Sequence, residues 1–300
     1  MLNVISHIEL ANFEQVAPPK VEKSNFSLSF SLLPKEERNA IKSIYAFCSY
    51  IDDIVDCLPN SLTNVIEIKQ ERLAWWENVL DDIYNHNINN PLILPFIAVI
   101  HRFSIPKQYF LTLIDGCRRD LIQKRYRTFD DLKDYCYSVA SVVGLISIEI
   151  FGYKYEETKN YAINLGYALQ LTNILRDIKQ DKDRGFIYLP LEDLEKYGYS
   201  EQELIDEVYN DNFVELMRFE AQRAREYYHK ARKSLSPDER LTTFSAGIMD
   251  EIYYRLLDKI ELLEFKVFGE KIRVSNTHKL MITIKQWLSL IMFIRPMKKK

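Results

Sequence analysis

Glycine and proline are scarce, at 8 and 10 among 300 residues. That shortage argues against sandwiches and barrels, and against collagen-like or disordered chains, which need frequent turn residues. An excess of one charge is missing too. Lys and Arg number 40 against 43 Asp and Glu, a net charge of −3, so the total shows no nucleic-acid footprint. The four cysteines, Cys48, Cys57, Cys117 and Cys136, form no CxxC pair and fall in helix-like stretches, which fits a reduced, cytoplasmic chain. The first residues include His7, Glu9 and Glu14 and lack the basic-then-apolar order of a signal peptide. The C-terminal apolar run, Trp287–Ile294, falls far short of the ~20 residues needed to span a bilayer.

What the chain does have is 47% hydrophobic residues, with 19 Tyr and 16 Phe. Pro34 followed by Lys35, Glu36 and Glu37 makes a good first helical turn. Ile41, Ile44, Cys48, Ile51, Val55 and Leu58 then alternate at three- and four-residue steps, a core-facing stripe. Similar patterns predict helices near 63–86, 92–103, 106–123, 129–151, 155–181, 201–208, 211–234, 238–268 and 276–294, with no strand run and no repeat. The expected class is all-α and single-domain: an irregular segment over 1–23, the domain over 24–280, and an apolar-basic tail over 281–300. A terminal core helix is the plainer reading of that tail. The sharper one is peripheral membrane contact, with Trp287 and Phe293 at the interface and Lys298 to Lys300 on anionic lipid.

Two segments carry chemistry. In YAFCSYIDDIVD, residues 45–56, Asp52 and Asp56 are one helical turn apart and abut the Ile51/Val55 stripe. A solvated acidic edge is the bland reading. Carboxylates beside a core repel each other and lose solvation, and a bound cation relieves both. In GYALQLTNILRDIKQDKDRGFIYLP, residues 166–190, leucines and isoleucines surround the helix, while Gly166, Gln170, Asn173, Asp177 and Asp181 form one polar ridge. Two such pairs can hold hard divalent cations, and Mg²⁺ bridges readily to substrate phosphates. In YCYSVASVVG, residues 135–144, small residues leave room either for a long apolar ligand or for a tight helix crossing, and Gly144 calls for one of these. Asp115 and Asp120 read as ion-pair or cap residues. Arg255, Lys271 and Arg273 fall in a late basic stretch that could face a diphosphate; a solvated face is the plainer reading.

SNFSLSFSLLP (24–34), YAFCSYIDDIVD (45–56), LIDGCRRDL (113–121), YCYSVASVVG (135–144) and the LQLTNILRDIKQDKDRG…IYLP block around 169–190 together resemble the squalene/phytoene synthase family of head-to-head prenyl synthases. The resemblance covers roughly Ser24 to Leu280, and the last block is the most specific part. It implies an isoprenoid synthase helical bundle with a central cavity. It implies that Asp52, Asp56, Asn173, Asp177 and Asp181 bind two or three Mg²⁺ ions through the substrate diphosphates, with no need of NADPH. Tyr45, Arg176 and Tyr253 take catalytic positions. Phe26, Val139, Ala140, Gly144, Gln170 and Tyr188 take substrate-binding ones.

The implied partners are two allylic prenyl diphosphates, in a monomer or weak dimer with no nucleic acid. Geranylgeranyl diphosphate to phytoene is preferred; farnesyl diphosphate to presqualene diphosphate or squalene is the alternative. A non-catalytic relative serving as an assembly factor is the rival of another class. Retention of all four aspartates speaks against it. Two positions depart from the family pattern: Ser49 and Phe186 both stand where the family usually has Arg. Each removes a positive charge, and Arg118, Arg119, Lys179 and Lys182 are the candidates to compensate.

Overall fold

Helices account for nearly all regular structure in the computed structural model, which describes residues 27–56, 64–88 and 90–297 and their side chains from 29 to 289. Thirteen α-helices are described: α1 (Ser27–Phe30), α2 (Lys35–Asp56), α3 (Val65–Tyr84), α4 (Leu94–Arg102), α5 (Lys107–Arg119), α6 (Phe129–Cys136), α7 (Val142–Phe151), α8 (Glu157–Asp183), α9 (Leu191–Lys196), α10 (Glu201–Ile205), α11 (Asp211–Ser234), α12 (Phe244–Leu262) and α13 (Asn276–Met297). Among the described residues the only extended pairing is an isolated parallel bridge between Arg125 and Ile187. The residues sort into two compact units. One comprises residues up to 122 together with 145–152; the other comprises 123–144 and 153 onward.

In the first unit the predicted stripe of α2 is inside: Ile41, Ile44, Ile51 and Val55 are buried, and Cys48 is half-buried. Phe47 is its centre. Its ring stacks on Phe96 at 4.7 Å and meets Trp76 and Phe110 edge-on at 5.5 and 5.4 Å. Such pairs add about 0.5–1.5 kcal/mol beyond area burial, and this cluster fixes α2 against α3, α4 and α5.

In the second unit α8 is the central element, packed most extensively on α11. The chain enters α8 under a carboxylate from far along the sequence. Glu239, 3% exposed, accepts from the Lys154 and Tyr155 amides at 2.5 and 3.3 Å and from the Thr158 hydroxyl. Negative charge at a helix N-terminus satisfies orphan donors and complements the dipole. On α11, both oxygens of buried Glu220 accept from Arg223 Nη1, which also donates to Asp193 Oδ2 at 2.8 Å. One guanidinium serves two buried carboxylates. Burial, with the neighbouring Asp193 charge, pushes Glu220 up to about 8 against the pull of Arg223.

Between α6 and α7 the helix widens into a π turn over Tyr137–Ser141, inside the small-residue segment. The run Phe129–Phe151 is long and apolar enough to cross a bilayer by length and composition, and more than half of it is buried inside the protein. The predicted 238–268 helix is shorter than expected. A 3-10 turn at Pro237–Glu239 precedes α12, and Glu264 and Phe265, at φ 52° and 60°, stop the chain in the left-handed region after it. Helix α9 was not expected; Pro190 precedes it and Glu192 and Asp193 fill its first turn.

Candidate active site

On α2, Asp52 and Asp56 are exposed and Asp53 is half-buried, while Ile51, Ile54 and Val55 enter the core. Cations from α3 close this end of the helix. Lys69, 6% exposed, donates to the Val55 carbonyl at 2.5 Å, and Arg72 donates to the Tyr50 hydroxyl at 3.3 Å. An ammonium there satisfies a terminal carbonyl and complements the helix dipole. The Cys117 thiol is pushed well above its ordinary range by burial and then by the charges of Asp52, Asp120, Cys48 and Asp56. Asp120 therefore belongs to the same electrostatic neighbourhood as the first aspartate pair, beyond the cap role expected of it. Asp115 does pair with Arg118, at 2.5 Å. Tyr45 is half-buried and meets Phe30 edge-on at 6.2 Å. Phe26 lies outside the described residues, as do Cys57, residues 1–23, the Phe293 side chain and Lys298 to Lys300.

The second pair is on α8, where Gln170, Asn173, Asp177 and Asp181 follow one side of the helix. Asp177 is clamped. Arg176 Nε donates to its Oδ1 at 2.7 Å and Arg176 Nη2 to its Oδ2, and Lys271 Nζ sits 2.8 Å from Oδ1. Burial alone would raise its pKa, but Arg176 and Lys271 outweigh it and hold Asp177 below the usual carboxylate range. Arg176 also hydrogen-bonds Tyr253, which is 5% exposed on α12. Asp181 has the opposite fate. Burial and the neighbouring Asp177 charge push it up to about 7, against the pull of Arg184, Lys271 and Arg176. A pocket of about 10 Å³ beside it, lined by Ile174, Ile178, Phe186 and Tyr188 among others, is at the lower limit for one water.

The ridge fits a hard cation. Asn173 Nδ2 reaches Gln170 Oε1 at 3.4 Å, but Asn173 Oδ1 is buried without a hydrogen-bond partner. A buried orphan oxygen one turn from Asp177, with Asp181 a further turn along the same side of the helix, is a row of hard oxygen donors. Among the described residues no three His, Cys, Asp or Glu side chains converge. A cation held here would need water and substrate oxygens to complete its shell, as Mg²⁺ usually does.

Tyr188 is part of an aromatic wall. Its ring stacks on Phe186, Tyr135 and Tyr126 at 5.5, 5.3 and 5.7 Å, and its hydroxyl lies 3.3 Å from that of Tyr135. Phe186 gathers cations: Lys124 Nζ stands 3.5 Å above its ring centre and the Arg184 guanidinium 5.5 Å away. Both are within cation–π range. Positive charge is thus present around Phe186, from sources the sequence did not suggest. Lys179 and Lys182 instead both serve Glu207, at 2.6 and 2.9 Å, and Arg118 serves Glu77 and Asp115. Of the two readings of the late basic stretch, a solvated face and one turned to the diphosphates, Lys271 departs from the first: it is a partner of Asp177. Arg255 does remain on an exposed face, paired with Glu251 and Asp258.

The small-residue segment makes a close crossing. A Cβ on Gly166 would lie 2.4 Å from Ser141 Cα, and one on Gly144 would lie 2.8 Å from the Ala162 carbonyl oxygen. Ser141 seals the crossing by donating to the Ile163 carbonyl at 2.8 Å. Val139 and Ala140, on the π turn, remain half-buried. A π turn within a helix is frequent at functional sites.

Comparison with known proteins identifies the family of the chain. The squalene/phytoene synthase family model matches residues 20–278. The chain is 37% identical over 272 residues to a phytoene synthase of Arthrospira platensis, covering 85% of each. It is also 37% identical over 278 residues to a 15-cis-phytoene synthase of Synechocystis sp., covering 88% of this chain and 80% of that one. Among solved structures, a dehydrosqualene synthase in complex with ligand superposes with a TM-score of 0.80 at 26% identity, covering 94% of this chain and 98% of the other. A squalene synthase from Alicyclobacillus acidocaldarius gives 0.74 at 26% identity, covering 86% and 96%. An all-helical domain with two aspartate pairs and matches of this extent leaves one conclusion: the chain belongs to the squalene/phytoene synthase family and is a prenyltransferase of that type.

Proposed function

We propose that this enzyme joins two molecules of geranylgeranyl diphosphate head-to-head (1′–1), through a cyclopropylcarbinyl diphosphate, to give phytoene. The observation that carries the reading is the α8 ridge, where orphaned Asn173 Oδ1 and clamped Asp177 share a face with Asp181. The C20 substrate is supported by the phytoene synthase relatives at 37% identity. Mg²⁺, held by Asp52, Asp56, Asn173, Asp177 and Asp181, would supply Lewis-acid neutralisation of the departing diphosphate.

The chain's own residues do the remainder. Arg176, fixed by Asp177 and Tyr253, presents a guanidinium to diphosphate oxygens, and Lys271 and Arg184 add charge beside it. Charge-assisted contacts of this kind are about twice as strong as neutral hydrogen bonds. Tyr188, Tyr45 and Tyr253 offer aromatic faces, which attract a carbocation without capturing it. Ile174, Ile178 and Phe186 keep water from the cation. Val139, Ala140 and Gln170 belong to the prenyl-binding wall, whereas Gly144, which the resemblance also placed there, is taken up by its close approach to the Ala162 backbone. The enzyme works in the cytoplasm as a monomer or weak dimer, with Cys48, Cys117 and Cys136 as free thiols.

A farnesyl diphosphate substrate is favoured by one observation, the likeness to a dehydrosqualene synthase over 94% of the chain. Incubation with Mg²⁺ and either diphosphate, with and without NADPH, followed by mass spectrometry of extracts, separates the readings. A C40 hydrocarbon from geranylgeranyl diphosphate alone is expected. A C30 product from farnesyl diphosphate alone, or a squalene that forms only with NADPH, overturns the proposal.

A further inference from the structure

Helix α13 is built inside out. A helix of a globular protein turns its apolar stripe inward and its polar side to water. Over 279–289, α13 does the reverse. Thr283 is buried and Lys279, Ile282 and Gln286 are half-buried beside it. Leu280, Met281, Ile284, Trp287 and Leu288 are 51, 55, 47, 49 and 48% exposed. Their spacing places all five on one continuous stripe. A terminal core helix, the plainer sequence reading, does not leave such a face in water. Five large apolar side chains side by side mark an interaction surface.

The charge pattern identifies the occupant. From the start of α13, residues 276–300 contain six Lys and Arg and no Asp or Glu, in a chain whose net charge is −3. The tail is therefore strongly positive and the remainder strongly negative. A second copy docked through the same stripe brings two such basic tails together, since a two-fold interface pairs a surface with itself. An anionic lipid surface meets the tail with opposite charge and repels the acidic body, which sets the orientation. Lys285, exposed at the margin of the stripe, can extend its ammonium to headgroups while its stem lies on lipid. Trp287 suits the same depth.

We propose that α13 seats this protein on the surface of an anionic bilayer, lying in the interface plane through Leu280, Met281, Ile284, Trp287 and Leu288. Lys279, Lys285 and Gln286 interrupt it too often for a span, so it lies on the membrane and does not cross it.

The test is co-sedimentation of the full chain with phosphatidylcholine vesicles containing 30% phosphatidylglycerol, against phosphatidylcholine alone. No substrate is present, so the outcome is independent of the chemistry proposed above. Wild type is expected to partition onto the anionic vesicles about tenfold more strongly than onto neutral ones, with the excess lost in high salt. The double variant Ile284→Ser/Trp287→Ser should lose about tenfold or more in partitioning with an unchanged melting temperature. Lys285→Glu, which leaves the stripe intact, should weaken anionic binding several-fold and neutral binding hardly at all. Absence of wild-type binding to anionic vesicles overturns the proposal. So does unchanged binding by both variants, or a wild-type dimer in light scattering that Ile284→Ser/Trp287→Ser converts to monomer without any vesicle binding.

Discussion

The two aspartate pairs share a four-residue spacing and little else. Asp52 and Asp56 are exposed near the C-terminus of α2, with Lys69 and Arg72 attending that end of the helix. Asp177 and Asp181 are partly buried on α8, one held low by Arg176 and Lys271, the other pushed up to about 7. Spacing alone puts both members of a pair on one face. What the pair then holds depends on solvent. An exposed pair keeps water and can take a hydrated cation at little cost. A buried pair must find positive charge from a side chain, a proton or a metal.

The largest test of this contrast is neutralisation of one carboxylate in each pair. Asp52→Asn and Asp177→Asn should each lower kcat/KM by about 10²–10³-fold if both hold the metal. Their melting temperatures should part. Asp177→Asn leaves Arg176 without its buried partner and should lower it by several degrees, whereas exposed Asp52→Asn should change it by about a degree or less. Equal melting shifts measured by calorimetry break the contrast.

Gly166→Ala acts on the second pair through its helix. The added Cβ, 2.4 Å from Ser141 Cα, forces α8 away from the π turn, at a cost of about 1–3 kcal/mol. Thermal melting should fall roughly 2–4 °C for each kcal/mol, and activity should fall with it.

Glu220 sharpens the contrast, because it is buried without belonging to either pair. Its folded-state pKa, about 8, lies above its unfolded value, so the folded protein binds the extra proton between about pH 4.5 and 8. The stability this proton contributes is therefore full at low pH and is lost as pH rises through that window, at no more than about 1.4 kcal/mol per pH unit. Glu220→Gln should flatten the fall in melting temperature between pH 5 and 8. An unchanged pH profile rules out Glu220 as its source.

The smallest effect is expected at Phe186. Phe186→Leu removes the ring over which Lys124 and Arg184 are held and should raise substrate KM about threefold with kcat nearly unchanged, while Phe186→Tyr should behave like wild type. Steady-state kinetics on the three proteins decide it.

Periodicity made the helices legible. The α2 stripe of Ile41, Ile44, Ile51 and Val55 is buried as its spacing predicts, and the α8 polar ridge is continuous. Local signals failed where the deciding partner is distant in the chain. Lys271 looks solvated until it meets Asp177, ninety-odd residues earlier, and nothing near Phe186 in sequence announces Lys124 above its ring. Gly144 and Gly166 signalled a need for space without saying for what; backbone contact across the crossing answers it. The left-handed turn at Glu264 and Phe265 used residues with no strong turn preference, so the end of α12 was misplaced.

The carboxylate of Glu239 that receives the chain at the start of α8 lies 85 residues beyond Lys154. At a synthesis rate of about 5–20 residues per second, the two emerge roughly 4–17 s apart. Throughout that interval the Lys154 and Tyr155 amides and the Thr158 hydroxyl lack the carboxylate that accepts from them in the folded chain. The completed start of α8 is therefore timed by translation: slowing the ribosome between 157 and 239 lengthens the wait of these three donors for their acceptor.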